Sequence, residues 1–155
     1  MKEPGITELG SAEFWERIKN EPAKLAAELC FIDLTQLDVA LQKHPSLHAW
    51  VNAEHEVARI AESRADWELI KARARALLVA KATPDTHTNK MKTVDVLDAE
   101  ADTHESVQNA KLLLFDAQEK RGALRAIMDA MEGRIQMLVQ IAAKQRQEAN
   151  NYSRS

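Results

Sequence analysis

Six cationic side chains in the segment 71–92 are the residues of this sequence best suited to bind an anion. The segment contains one acid and has a net charge of +5 from Lys71, Arg73, Arg75, Lys81, Lys90 and Lys92 against Asp85. Lys and Arg hold phosphate groups by charge and hydrogen bonding, and neutralising nucleic-acid phosphates releases counterions. The segment therefore predicts a phosphate-binding surface without base-edge recognition. A structural alternative explains part of it, because cations near a helix C-terminus stabilise the helix dipole.

Trp67 lies one helical turn before Lys71 and could stack on a nucleic-acid base, as aromatic side chains do in proteins that bind single strands. It also falls on an apolar seven-residue repeat. That position favours core packing over a stacking role.

Three histidines raise the question of a metal site. His44 and His48 have the i, i+4 spacing of two metal ligands on one helix, with His55 two turns further on. Pro45 between the first two argues against an unbroken helix, and no acid or cysteine completes a ligand set. Solvent-facing or packed histidines are the favoured interpretation, so we expect no metal.

An acidic segment follows the cationic one. Residues 93–116 have a net charge of −5, with one cation against Asp95, Asp98, Glu100, Asp102, Glu105 and Asp116. Such a run is typical of a solvated helix start favoured by the helix dipole. Here it could also pair with the cations of 71–92.

Several enzyme classes are excluded by the glycines. The four glycines are too scattered for a P-loop, a dinucleotide-binding turn or a nucleophile elbow: Gly5, Gly10, Gly122 and Gly133. No Ser/His/Asp or Cys/His arrangement can be defended from spacing. We therefore expect neither an enzyme nor a cofactor.

Composition places the elements in an all-α fold. Alanine occupies 25 of 155 positions, aromatic residues only 5%, and Gly and Pro four positions each. This composition is typical of long helices, and the length suits one domain. The single Cys30, the acidic N-terminal sequence and the lack of a long apolar run predict a cytosolic chain in a reducing compartment.

Short helices are predicted first, and we treat residues 1–30 as an N-terminal extension to a helical domain at 31–155. Ser11 can cap one helix and Pro22 can start a second. Thr35 with Asp38 resembles a capping start for a third helix, which Pro45 is expected to end.

Two long helices follow. The first is predicted from Leu47 to about Ala82, with a heptad seam of Trp50, Ala53, Val57, Ile60, Trp67, Ala74 and Leu78 interrupted by Arg64 and Lys71. Turn-forming residues then predict a loop. Asp102 with Glu105 can cap a second helix over about 103–149, whose seam is Val107, Ala110, Leu114, Ala117, Arg121, Leu124, Met128, Met131, Ile135, Leu138 and Ala142.

These helices predict a long antiparallel hairpin with coiled-coil-like seams. The second helix would span about 70 Å, whereas a compact chain of this length has a radius of gyration near 15 Å. A hairpin with such long seams usually buries its spare apolar face against other copies. We therefore expect a homo-oligomer.

Several strings in residues 31–140 resemble, in order, the UvsY family of phage recombination mediators. Phe31-Ile32-Asp33-Leu34-Thr35 with Leu37 resembles the entry to that family's first conserved helix. The other matching strings are Leu47-His48, Trp50-Val51-Asn52, Lys71-Ala72-Arg73, Met91-Lys92-Thr93-Val94 and Ala123-Leu124-Arg125-Ala126-Ile127.

This resemblance implies a ring-shaped homo-oligomer, a hexamer or heptamer, that binds single-stranded DNA non-specifically. It implies action against the phage single-strand-binding protein and loading of a UvsX-like recombinase, in the cytoplasm of an infected bacterium. It places DNA binding at Lys71 and Arg73. The alternative, from the residues alone, is a helical adaptor or scaffold protein without nucleic-acid binding.

Overall fold

A computed structural model describes residues 11–83 and 92–152, and within these ranges the chain forms helices and no strand. The α-helices are α1 (Ala12–Asn20), α2 (Pro22–Leu29), α3 (Leu37–Ala82), α4 (Val94–Thr103) and α5 (Glu105–Tyr152), with a 3₁₀ turn at Leu34–Gln36. The predicted all-α class is confirmed.

The two short N-terminal helices begin where their capping residues predict. Ser11 accepts a hydrogen bond from the backbone N–H of Phe14 and caps α1, and Pro22 occupies the first turn of α2. The Phe14 ring meets Trp50 of α3 edge-on, with 5.2 Å between centroids. Arg17 of α1 donates to Glu28 of α2 over 2.6 Å. These contacts pack α1 against α3 and join α1 to α2.

The entry to α3 corrects two predictions. The capping side chain is Asp33, not Thr35, and it caps the 3₁₀ turn that precedes α3. Its Oδ1 accepts from the Thr35 N–H at 2.9 Å and from the Thr35 hydroxyl at 2.6 Å. Pro45 does not end the helix but lies inside α3. A proline there removes one helical hydrogen bond, and the buried side chains of His44 and Leu47 on either side of it offset this cost. The predicted break before Leu47 was therefore wrong.

The connection between α3 and α5 contains a helix that was not predicted. The acidic residues from Asp95 to Asp102 lie in α4. His104 has extended backbone (ψ 134°) and ends it, and its Nδ1 accepts from the Ser106 N–H at 3.3 Å at the start of α5. The predicted cap at Asp102 was wrong, because that residue is still helical.

The chain divides into two compact units. The first comprises Met1–Glu56 and Gly122–Ser155, of which 11–56 and 122–152 are described. Leu37 and Ala40 near the start of α3 pack on Leu138 near the end of α5. Further along α3, His44 lies beside Arg134, which comes earlier in α5. The two helix segments therefore run antiparallel in this unit. Further buried side chains from α5 are Leu124, Ile127 and Met131.

A buried arginine lies in the first unit. Arg134 has no exposed surface, and its Nη2 donates to the Phe31 carbonyl oxygen at 3.2 Å. Its Nη1 lies 3.5 Å from the Nδ1 of buried His44, whose ring stacks on His48. Because a guanidinium can only donate, the Nδ1 of His44 must be unprotonated for this contact.

His44 should make stability depend on pH. Burial lowers its pKa, and the charge of Arg134 and then His48 lower it further. Below about pH 6.5 the unfolded chain therefore takes up a proton at this position before the folded chain does, which favours unfolding. We expect the free energy of unfolding in urea to fall between pH 7.5 and 5.0, and to fall less in His44→Asn, whose amide oxygen still accepts. Equal losses in the two proteins would contradict this role.

The second unit comprises Val57–Arg121, with residues 84–91 outside the described ranges. Ala76 of α3, Ala101 of α4 and Val107 of α5 form its buried core, flanked by Leu69, Ala72 and Leu77. Glu62 of α3 pairs with Arg121 of α5 at 2.6 Å. Together with the core, this pair shows that the α3 and α5 segments are antiparallel here too.

The structure buries the predicted seam of α5 but exposes much of the predicted seam of α3. Most of the α5 seam is buried or half-buried, including Val107, Leu124, Met131 and Leu138. The α3 seam is not the packed face in the second unit. Buried and half-buried positions there are mainly small: Ala58, Ala65, Leu69, Ala72, Ala76 and Ala80. Alanines allow close approach of helices, so this second stripe of α3 faces the core.

The predicted α3 seam is left on the surface of the second unit. We call it the α3 stripe: Val57, Ile60, Arg64, Trp67, Lys71, Ala74 and Leu78. All of these are exposed except Lys71, which is half-buried. Exposed apolar residues in a regular heptad repeat are typical of a surface that contacts another helix.

No helix in the described ranges is long and apolar enough to cross a membrane.

Candidate nucleic-acid interface

The structure divides the six predicted cations between different surroundings. Lys71 and Arg75 project one turn apart on α3, whereas Arg73, two residues from each, projects to another side of the helix. Arg73 and Lys92 contact the acidic helix α4. Lys81 is exposed in the last turn of α3, and Lys90 lies outside the described residues.

Trp67 and Lys71 form a paired cation and aromatic ring on the α3 stripe. The Lys71 Nζ lies 5.5 Å from the centroid of the Trp67 ring, within the range of a cation–π interaction. Trp67 is 58% exposed. The favoured prediction, that Trp67 packs in the core, is therefore wrong for the single chain. The Trp67 ring is accessible.

Lys71 is also paired with a neighbouring acid. Its Nζ donates to Glu68 Oε1 at 2.7 Å, one turn away. Lys71 holds the pKa of this carboxyl below its usual range by that hydrogen bond and by its charge, and Arg75 adds to the effect. The pair is exposed, so its net energy is small and its partners can be exchanged.

Arg75 lies eight residues after Trp67 and four after Lys71, in line with both along α3. Its side chain is exposed, and within the described ranges it has no ion pair within 4 Å. The same holds for Lys81. These two cations are the ones of the predicted set that are available to an external anion without displacing a described carboxylate.

Arg73 faces α4. Its Nη2 lies 3.5 Å from Asp98 Oδ1 and its Nε lies 3.5 Å from Asp102 Oδ1. Asp102 also lies 3.6 Å from the Nζ of Lys111 on α5. About half of the Arg73 side chain remains exposed. The acidic segment thus pairs with the cationic one, which was left open from sequence.

Lys92, just before α4, is the most covered of these cations. Its side chain is 9% exposed, and its Nζ contacts Glu100 Oε2 at 2.6 Å. Lys92 therefore links the start and the later turns of the α4 segment. This ion pair lies within one chain, so it is not a contact with an external anion.

Sequence reasoning missed the partners of these cations. The carboxylates at positions 98, 100 and 102 were recognised as an acidic run, but nothing local showed which cations they would meet. Lys111 was not singled out. One signal was available: Trp67, Lys71 and Arg75 are spaced i, i+4, i+8, which places them in one line along a helix.

In 11–83 and 92–152, no group of three or more His, Cys, Asp or Glu side chains could hold a metal ion. His44 and His48 do share one face of α3, with ring centroids 6.0 Å apart. His55 is buried, with its Nδ1 3.8 Å from Glu56.

No protein-family model matches this chain, and neither a curated protein nor a solved structure was found to be similar to it.

Proposed function

We propose that this chain is a recombination mediator that binds single-stranded DNA without sequence preference and helps to load a recombinase onto DNA coated by a single-strand-binding protein. The proposal combines the resemblance to the UvsY family with the chemistry of the α3 stripe. It includes a homo-oligomer, such as a ring, acting in the cytoplasm of an infected bacterium.

The observation that carries the proposal is the exposed line of Trp67, Lys71 and Arg75. Proteins that bind single strands combine aromatic platforms, on which bases stack, with cations that follow the phosphates. Both groups occur here within two helical turns, with the Lys71 ammonium beside the Trp67 ring. Stacking tolerates any base, so this arrangement supports binding without sequence preference.

Several copies of the chain in one oligomer would make binding to a single strand strong. One copy presents few accessible cations in this region, and its neighbouring carboxylates reduce their effect. In an oligomer, one strand can contact several copies, and each contact raises the effective concentration of the strand at the next copy. A weak contact per copy can then compete with another protein that coats the strand.

The test is fluorescence anisotropy of a labelled single-stranded oligonucleotide over a salt series. We expect Lys71→Ala/Arg75→Ala to weaken binding roughly tenfold or more at low salt and to reduce the salt slope, by about 0.7 for each lost phosphate contact. Lys144→Ala/Arg146→Ala is the matched control, since it removes the same two charge types from exposed positions on α5.

Oligomer size is measured in the same samples by light scattering. The proposal is supported if Lys71→Ala/Arg75→Ala loses binding while the control keeps it and oligomer size is unchanged. If the wild-type protein fails to bind the oligonucleotide at low salt, the proposal is wrong. Equal weakening in the two variants would show that Lys71 and Arg75 are not specific contacts.

A second candidate function, a helical adaptor or scaffold, is favoured by the same stripe. Covering a Val, Leu or Ile side chain contributes about 1.5–3 kcal/mol, and the stripe exposes Val57, Ile60 and Leu78 besides Trp67. As an assembly surface it would bury Trp67 against another helix. An apolar contact of this kind changes little with salt, whereas DNA binding weakens steeply.

A further inference from the structure

We propose that α4 is an autoinhibitory helix, whose carboxylates occupy Arg73 and Lys111 in place of DNA phosphates and must leave before those cations bind a strand. This inference rests on the proposed binding of single-stranded DNA. It concerns the second unit alone, in which α4, α3 and the start of α5 meet.

The ion pairs converge on two carboxylates. Asp98 and Asp102 lie one turn apart on α4, and both lie 3.5 Å from the Arg73 guanidinium. Asp102 lies 3.6 Å from the Lys111 ammonium as well. Carboxylates and phosphates offer these cations the same kind of partner, an anionic oxygen acceptor. A strand can therefore use Arg73 and Lys111 fully only by replacing α4.

The attachment of α4 to the core of the second unit rests on a small apolar contact, which release of the helix would expose on Ala76 and Val107. Ala101 is its one fully buried residue, and an alanine buries little apolar surface. Val94 and Val96 are exposed instead of packed. The ion pairs involve side chains that are each about 40–50% exposed, and such pairs are individually weak.

The joint to α5 permits movement. His104 alone, with extended backbone, separates the last residue of α4 from the first residue of α5. Rotation about the backbone of one or two residues here would keep the backbone hydrogen bonds inside both helices. It would break the hydrogen bond that the Gln108 side-chain amide of α5 donates to the Asp102 carbonyl oxygen of α4. Hinges of this kind are a few residues at the ends of elements.

Salt dependence distinguishes this arrangement from an open cationic surface. Rising salt weakens the pairing of α4 as well as the binding of DNA, so part of the loss of DNA affinity is offset. The wild-type protein should therefore show a shallower salt slope than a variant in which α4 cannot pair.

The experiment compares Asp98→Asn/Asp102→Asn with wild type for binding of a labelled single-stranded oligonucleotide across salt. Asparagine keeps the size of each side chain and removes its charge. We expect about 3- to 30-fold tighter binding at low salt and a steeper salt slope. Asp116→Asn/Asp129→Asn is the control, because it changes net charge equally at exposed positions of α5.

The two proposals fail differently. If wild type and both variants bind the oligonucleotide with the same affinity, autoinhibition is wrong and DNA binding stands. Equal tightening in the control would also overturn it, because net charge alone would explain the gain. If none of the three proteins binds at low salt, the function itself is wrong, and this inference with it.

Hydrogen–deuterium exchange of the wild-type protein provides a second measurement that requires no variant. Peptides covering Val94–Thr103 should exchange faster when the oligonucleotide is bound, because a ten-residue helix that has lost its packing contacts is only marginally stable and frays. Unchanged or slower exchange in these peptides, with DNA bound, would overturn the proposal.

Discussion

Leu138→Ala is expected to lower the free energy of unfolding by about 2–5 kcal/mol, the range for removing a fully buried leucine and leaving a cavity. Leu138 has no exposed surface and packs against Leu37 and Ala40 in the first unit. For a chain of this size each kcal/mol shifts Tm by about 2–4 °C. Urea or thermal unfolding followed by circular dichroism measures the change.

Val139→Ala is the matched control for this prediction. Val139 is the next residue of α5 and is 57% exposed. Its truncation should change stability by less than about 1 kcal/mol, since surface substitutions usually have small effects. Similar losses at the two positions would show that the inward face of α5 has been assigned incorrectly.

Trp67→Ala is expected to weaken binding of single-stranded DNA by about 5- to 100-fold without changing oligomer size. Stacking of a base on an aromatic ring contributes about 1–3 kcal/mol. The exposed ring beside Lys71 is the one position in the α3 stripe with this capacity. Anisotropy and light scattering on the same samples separate the two effects.

Leu78→Ala is the control, because it removes apolar surface from the same stripe without removing an aromatic ring. If the stripe binds DNA, only the Trp67 variant should lose affinity. A loss of oligomer size in both variants would instead favour the adaptor or scaffold, with Trp67 buried between copies. Unchanged DNA affinity in Trp67→Ala would contradict a stacking role.

Local signals in the sequence were reliable where a helix begins with a dedicated side chain. Ser11 and Pro22 start α1 and α2 as predicted, because a cap or an N-terminal proline acts within one turn. Pro45 led to a wrong prediction, because its effect on α3 is not decided within one turn. Its local cost is real, but contacts made by the flanking turns of α3 outweigh it.

The sequence predicted which charged residues the candidate site contains, but not which of them pair with each other. The cationic and acidic segments are evident in the sequence, but the pairing of Arg73 with Asp98 and Asp102 depends on α4, which was not predicted. Asp33 was likewise not identified as the cap before α3. Each of these depends on where the backbone turns between helices.

The sequence by itself determined the all-α class, the long helices and the buried face of α5. On that helix the large apolar side chains form one seam, so a single face can be buried. Only the tertiary structure decided the face of α3, which has two candidate stripes with heptad spacing. The alanine-rich stripe packs within the second unit and the α3 stripe with Trp67 stays outside, because the choice depends on the shape and charge of the partner helices and not on α3 alone.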